Sequence, residues 1–157
     1  MSFAKNVSRS RCLVKVLFDT SVIIATLVVS HEQHTVCVHW LNQAKTQQIQ
    51  GVVSTHTFAE TYSVITRLPV RPRINPELAQ RQISINLQSF EAVPLAFEDY
   101  QAAITQMVSL NLPGGGIYDA LIAQAALKGN AEVLLTLNAK HFTRLGAAIA
   151  SLVQIPQ

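Results

Sequence analysis

The 157-residue chain is poor in cysteine, and its two cysteines, Cys12 and Cys37, stand in unrelated contexts without a C-x-x-C pair. Neither a disulfide framework nor a thiolate zinc site is indicated, so a reducing cytoplasm is the expected compartment. Long apolar runs are also missing, because the stretch from Val22 to Val29 falls far below the roughly 20 residues that a membrane-spanning helix needs. No membrane span is predicted.

The N-terminal region does not have the pattern of a secretion signal. Three basic residues precede an apolar stretch, but Lys15 and Asp19 break that stretch and no A-x-A-like cleavage site follows. We expect residues 1–12 to be disordered. Residues 13–157 are expected to form a single domain, since 49% hydrophobic and 13% charged residues are typical of a compact globular chain.

Short apolar runs alternate with helical patterns along the chain. Strands are predicted at KVLFD, IQGVV, FEAVPL, AEVLLTL and SLVQI. Helices are predicted over residues 20–29, 33–45, 54–67, 77–88, 97–110 and 117–128. Strands that are apolar on both faces and alternate with helices form a parallel sheet that is covered on both sides. The sequence therefore predicts an α/β fold, a three-layer α/β/α sandwich with a central parallel sheet.

Acidic residues are scarce, and most of the nine have ordinary explanations. Six fall at helix starts or in polar connections, where solvation or the helix dipole accounts for them: Glu32, Glu77, Glu91, Glu98, Asp99 and Glu132. Asp19 instead closes the first predicted strand, at the sheet edge where α/β proteins bind ligands. Asn138 closes the AEVLLTL strand at the same edge, although asparagine at that place is also a preferred helix N-cap.

Asp119 and Glu60 each allow two interpretations. Asp119 is the only charged residue between Ile117 and Leu127, and it is either a first-turn acid favoured by the helix dipole or a ligand. Its helix face carries two alanines, which predicts close packing and hence a need for a partner charge or a metal. Glu60 lies in a Thr57-x-x-Glu60 pattern that is typical of a capping box.

Considered together, the polar residues favour a metal site. Asp19, Glu60, Asp119 and Asn138 would converge at one edge of the sheet, where several carboxylates repel each other unless a divalent cation balances them. Mg²⁺ suits such a site because it takes oxygen ligands and keeps waters that can supply a nucleophile. The implied chemistry is metal-assisted hydrolysis of a phosphodiester.

The ordered set of motifs resembles the PIN domain, and more narrowly the VapC-like ribonuclease toxins of toxin-antitoxin pairs. The matching pieces are FDTSV, FAETYSVITRLP, GGGIYDALIAQAAL and VLLTLNAKHF, in family order over nearly the whole chain. The resemblance implies a Mg²⁺- or Mn²⁺-dependent ribonuclease with Asp19, Glu60 and Asp119 as metal ligands, a homodimer, and a cognate antitoxin. Asn138 and His141 stand where many relatives carry aspartate, so we expect one firmly held ion.

Three other groups of residues are candidates for a role in the site. Arg67, Arg71 and Arg73 are candidate contacts to an RNA backbone, or else ordinary surface charges. Thr20 and Ser21 either orient a metal-bound water or cap the next helix. The SHEQH segment lacks the HExxH spacing of a zinc site, and its Ser30-x-x-Gln33 pattern is typical of a capping box.

Two other functions remain open from the sequence. A catalytically weak or silent PIN domain would bind RNA or a protein without cutting, and the loss of an acid at Asn138 is compatible with it. A haloacid-dehalogenase-like phosphatase would also use a strand-closing aspartate, but it needs a second aspartate where this chain has Ser21.

Overall fold

A computed structural model describes residues 12–157 and contains five strands and eight helices over that range. The strands are β1 Lys15–Phe18, β2 Gln50–Ser54, β3 Glu91–Val93, β4 Val133–Leu135 and β5 Val153–Gln154. The helices are α1 Thr20–Leu27, α2 His34–Lys45, α3 Thr55–Ile65, α4 Pro76–Leu87, α5 Phe97–Ser109, α6 Gly116–Lys128, α7 Ala139–Thr143 and α8 Ala147–Ala150. Disorder was expected over residues 1–12. Residues 1–11 lie outside the described residues, and Cys12 is the one residue of that range that the structure describes. A single domain over residues 13–157 stays a prediction.

The five strands form one parallel sheet in the order β3-β2-β1-β4-β5. The first strand lies at its centre, with Leu17 opposite Val52 of β2 and Leu134 of β4. All the carboxyl ends therefore point to the same edge, and β1 delivers the following residue to the middle of that edge. The predicted α/β fold with a central parallel sheet is confirmed.

Alternate residues of β1 pack into two separate hydrophobic cores, because successive side chains of a strand point to opposite faces of the sheet. Leu17 packs with α5 to α8 on one face of the sheet, whereas Val16 and Phe18 pack with α1 to α4 on the other. All three side chains are buried, which explains why β1 has no polar face. Within residues 12–157, every helix is too short or too polar to span a bilayer.

Two of the suggested helix caps are wrong, and two short helices had no counterpart in the predicted set. Helix α3 begins earlier than the Thr57 pattern indicates: Ser54 is its N-cap and accepts a hydrogen bond from the His56 N–H at 3.1 Å. Helix α2 is preceded by Gln33, whose side chain makes no cap bond, so Ser30 is not its cap either. Helices α7 and α8 have five and four residues, too few to show a helical period.

The core face of α3 carries two threonines, Thr57 and Thr61, whose buried hydroxyls have no hydrogen-bond partner among the described residues 12–157. We expect Thr61→Val to raise the free energy of unfolding by about 1 kcal/mol, because valine keeps the branched shape and removes an unpaired polar group. Thr26 is the matched control, since its buried hydroxyl donates to the Ile23 carbonyl at 2.7 Å. Thr26→Val should lower stability; urea unfolding that shows the same sign for both variants would contradict this account.

Candidate active site

Asp19 lies at the centre of the carboxyl edge, between the end of β1 and the start of α1. Its backbone N–H donates to the Leu135 carbonyl of β4 at 2.9 Å, which continues the sheet by one bond. It occupies the N-cap position of α1, yet its side chain makes no cap bond. Instead its Oδ2 accepts from the hydroxyls of Ser21 at 2.6 Å and Thr136 at 2.8 Å. The Asp19 carboxylate is thus held between a hydroxyl of α1 and a hydroxyl that follows β4.

The Asp19 side chain is an unusual carboxylate because the residue is only 3% exposed. Burial raises its pKa from 3.8 to about 6; the Ser21 and Thr136 hydrogen bonds oppose that rise, and the charges of Asp119 and Glu60 add to it. Within residues 12–157 no lysine, arginine or histidine forms an ion pair with it. Its negative charge is therefore stabilised by two hydroxyls alone, which is a weak substitute for a cation.

Glu60 approaches Asp19 from α3, the helix that follows β2. Its Oε2 accepts from the Thr20 hydroxyl at 2.6 Å, so the first residue of α1 holds the glutamate against the sheet edge. His56, one turn earlier on α3, places Nε2 at 3.9 Å from the same oxygen. The Glu60 side chain keeps 29% of its surface exposed and can therefore be reached from solvent.

Asp119 lies in the first turn of α6 and has cationic neighbours. His141 Nδ1 is 3.3 Å and Arg144 Nη2 is 4.0 Å from Asp119 Oδ2. Burial raises the pKa of Asp119 and the charge of Glu60 adds to this, whereas His141 and Arg144 lower it. The close packing predicted for this helix face is confirmed, because Ala123 and Ala126 are fully buried.

The three acids form one electrostatic cluster, since the charges of Glu60 and Asp119 both raise the pKa of Asp19. Each carboxylate is nevertheless engaged with its own partner: Asp19 with hydroxyls, Glu60 with Thr20, and Asp119 with His141. In this arrangement no three His, Cys, Asp or Glu side chains of residues 12–157 are already grouped as chelating ligands. The second oxygen of each carboxylate accepts no hydrogen bond within residues 12–157, so an ion could bind there without displacing these protein partners.

Asn138 and the three candidate arginines make no hydrogen bond or ion pair with the three acids within residues 12–157. Asn138 is exposed, its backbone N–H donates to the Thr136 hydroxyl at 2.9 Å, and its side chain lines a separate cavity with Ser21. No hydrogen bond among the described residues joins the Asn138 amide to a carboxylate. Arg67 lines a cavity beside Glu60, whereas Arg71 and Arg73 are exposed in the loop between α3 and α4.

The structure adds residues that sequence reasoning missed. Thr136 follows β4 directly and is fully buried, so its position at a strand end was an available signal. Arg144 lies just after α7, a helix too short to be predicted from its periodicity. His56 and Tyr118 stack on each other across α3 and α6, and no local pattern indicates that contact because 62 residues of sequence separate them.

The comparisons with known proteins agree on one family. The family model described as PIN domain matches residues 16–148, nearly the whole described chain. Ribonuclease VapC27 of Mycobacterium tuberculosis is 34% identical over 116 residues, which are 73% of this chain and 79% of that protein.

Solved structures agree on the fold. VapBC2 from Rickettsia felis, bound to a DNA fragment from their promoter, has a TM-score of 0.66 at 19% identity and covers 92% of this chain and 100% of that chain. Mycobacterium tuberculosis VapC20, a Sarcin-Ricin loop cleaving toxin, has a TM-score of 0.60 at 15% identity and covers 76% of this chain and 86% of that chain. This chain belongs to the PIN domain family, among its VapC-type ribonucleases of toxin-antitoxin systems.

Proposed function

We propose that this VapC-type ribonuclease is a Mg²⁺- or Mn²⁺-dependent endoribonuclease whose ion is bound by Asp19, Glu60 and Asp119. The observation that carries the proposal is the Asp19 carboxylate, which is buried beside two further acids and has no cationic partner among the described residues. A protein keeps such a charge at a cost in stability unless a ligand balances it. PIN nucleases typically use a divalent metal.

The donor set fits a hard divalent cation. Three carboxylates supply the oxygen ligands that Mg²⁺ and Mn²⁺ prefer, and Glu60 and Asp119 remain partly open to solvent. When bound, the ion would lower the pKa of a coordinated water and neutralise charge on the phosphate. Asn138 as a further ligand, directly or through water, remains a prediction.

The hydroxyl residues act as positioning groups. Ser21 accepts from the Leu137 N–H at 3.1 Å and donates to Asp19, so it ties the loop after β4 to the acid. Thr136 makes the equivalent link from β4, and Thr20 holds Glu60. These bonds fix the carboxylates before substrate arrives, which reduces the reorganisation that catalysis would otherwise require. Because Thr20 and Ser21 are engaged in this way, their proposed part in the site is orientation of the acids.

Protein partners are proposed beside RNA. We expect a homodimer and a cognate antitoxin that blocks the site. Helix α5 supports a protein-binding surface, because Phe97, Ile104 and Val108 lie on one face and remain 70%, 55% and 74% exposed. An apolar stripe of this size on a small protein is typical of an interaction site.

The proposal is tested by incubating purified, antitoxin-free protein with a mixed pool of single-stranded and structured RNAs. Cleavage is expected with Mg²⁺ or Mn²⁺, should stop when a chelator is added, and should return when the metal is restored in excess. A small phosphoester such as p-nitrophenyl phosphate should not be hydrolysed. Well-folded protein that binds the RNA but cuts none of it under any of these conditions would instead favour the silent binding module.

A further inference from the structure

Two aromatic rings lie beside the three acids and have no part in the metal chemistry proposed above. His56 in α3 and Tyr118 in α6 have ring centroids 5.2 Å apart and planes 8° from parallel, so the rings are stacked. Tyr118 directly precedes Asp119, and His56 lies one turn before Glu60. The stack is therefore carried by the same two helices that present two of the three acids.

The stack borders an open cavity of about 330 Å³ that also contains an acid and an arginine. Its polar lining includes Glu60, Ser63 and Arg67. Arg67 Nε donates to the Ser63 carbonyl at 2.9 Å, which fixes the base of the guanidinium. The two terminal nitrogens of the Arg67 guanidinium make no protein hydrogen bond or ion pair within residues 12–157, so they are available to phosphate oxygens.

Tyr118 is half exposed, at 50%, although one face of its ring is covered by His56. Because His56 stacks on one face of the ring, the opposite face is the one left for a further stacking partner. An aromatic face that is open to solvent beside basic and acidic groups suits the planar face of a nucleobase, which stacks on such rings whatever its sequence identity.

His56 has a feature that simple packing does not explain. Its Nε2 is buried and has no hydrogen-bond partner within residues 12–157, where Glu60 Oε2 lies 3.9 Å away. An unpaired buried nitrogen costs stability, and a phenylalanine at this place would supply a ring without that cost. The ring is thus held against Tyr118 at some expense to the fold.

We propose that Tyr118, backed by His56, is a stacking platform for an RNA base next to the cleaved phosphodiester bond, with Arg67 binding a phosphate of the same strand. The proposal rests on the ribonuclease function proposed above and specifies how substrate is bound there. Because stacking tolerates every base, the platform contributes affinity and position rather than sequence choice.

The test is a double-mutant cycle in which the Tyr118 ring and one RNA base are removed separately and together. A fluorescein-labelled single-stranded RNA that spans one mapped cleavage site is titrated with wild-type protein in chelator, where nothing is cut. The same RNA is then made abasic at each of the two positions that flank the bond. Tyr118→Ala removes the platform, Tyr118→Phe keeps the ring, and Tyr62→Ala is the matched control because Tyr62 is 42% exposed on α3 and lines a different cavity.

Wild-type protein should bind one of the abasic RNAs about tenfold more weakly than the intact RNA. Tyr118→Ala should bind the intact RNA about tenfold more weakly and should be insensitive to the missing base, whereas Tyr118→Phe and Tyr62→Ala should behave like wild type. An equal abasic penalty in wild type and Tyr118→Ala, with cleavage by wild type intact, would overturn the platform alone. Absence of any metal-dependent cleavage by folded wild-type protein would overturn the proposed function and the platform with it.

Discussion

Replacing Asp19 by asparagine is expected to reduce RNA cleavage about a thousandfold and to make the metal-free protein more stable. The loss of activity follows from the loss of the buried metal ligand, because a bound divalent ion contributes several kcal/mol to the transition state and each 1.4 kcal/mol is tenfold in rate. The gain in stability follows from the same buried charge. A residue with only a structural role would not be expected to produce both effects.

The size of the stability change depends on pH. The pKa of Asp19 is about 6 in the folded chain, above its ordinary value of 3.8, because burial disfavours the carboxylate. Between these two values the folded chain holds more protons than the unfolded chain, so stability falls as pH rises through this window. Above about pH 6 the full penalty is present, and a shift of this size corresponds to roughly 3 kcal/mol.

Asparagine keeps an acceptor oxygen for Ser21 and Thr136 and cannot ionise. The difference in unfolding free energy between Asp19→Asn and wild type should therefore be near zero at pH 4 and reach up to about 3 kcal/mol in favour of the variant at pH 7.5. Chemical denaturation of both proteins in chelator at the two pH values measures it. Saturating Mg²⁺ should stabilise wild type and leave the variant unchanged. A variant that is less stable at pH 7.5 would show that the carboxylate supports the metal-free fold.

A second large effect is expected at His141, the residue that holds Asp119 at 3.3 Å. His141→Asp replaces an imidazole that lies against Asp119 with another carboxylate. The Mg²⁺ concentration for half-maximal cleavage should fall about tenfold, since an added charge within reach of the ion contributes on the order of 1 to 2 kcal/mol. The metal-free protein should lose a similar amount of stability because the two acids repel each other.

The matched control for this change is His141→Asn, which removes the ion pair with Asp119 without adding a charge. It should alter the Mg²⁺ requirement by no more than a few-fold, because Arg144 still lies 4.0 Å from the acid. Titration of Mg²⁺ against cleavage rate, with thermal unfolding in chelator alongside, separates the two variants. An identical Mg²⁺ requirement for the Asp and Asn variants would mean that position 141 does not face the ion.

The strands and the positions of Asp19 and Asp119 were predictable because each depends on local sequence, whereas the local pattern around Glu60 indicated only a helix cap. All five predicted strands are present, four of them shortened and β2 shifted by one residue, since apolar runs such as VLF are buried on both faces of the sheet. Asp19 could be singled out because it closes its strand, and Asp119 because it is the only charged residue between Ile117 and Leu127. The alanines around Asp119 also predicted correctly that its helix face is packed.

The partners of those acids were not predictable, because they depend on how distant elements meet. The Thr136–Asp19 bond spans 117 residues and exists only because β4 lies next to β1 in the sheet. The pairing of Asp119 with Arg144 requires α7 to lie against α6, and the stack of His56 on Tyr118 requires α3 to meet α6. These contacts decide how tightly each carboxylate is held, and hence how readily it can turn toward an ion.

The most direct measurement is cleavage of the mixed RNA pool by wild-type protein and the Asp19→Asn variant side by side, each with Mg²⁺ and with chelator. Wild type should cut only when Mg²⁺ is present, and the folded variant should not cut in either condition. Full activity of a folded Asp19→Asn protein, or cleavage by wild type that a chelator does not affect, would contradict the claim that the sheet delivers Asp19 to a catalytic metal.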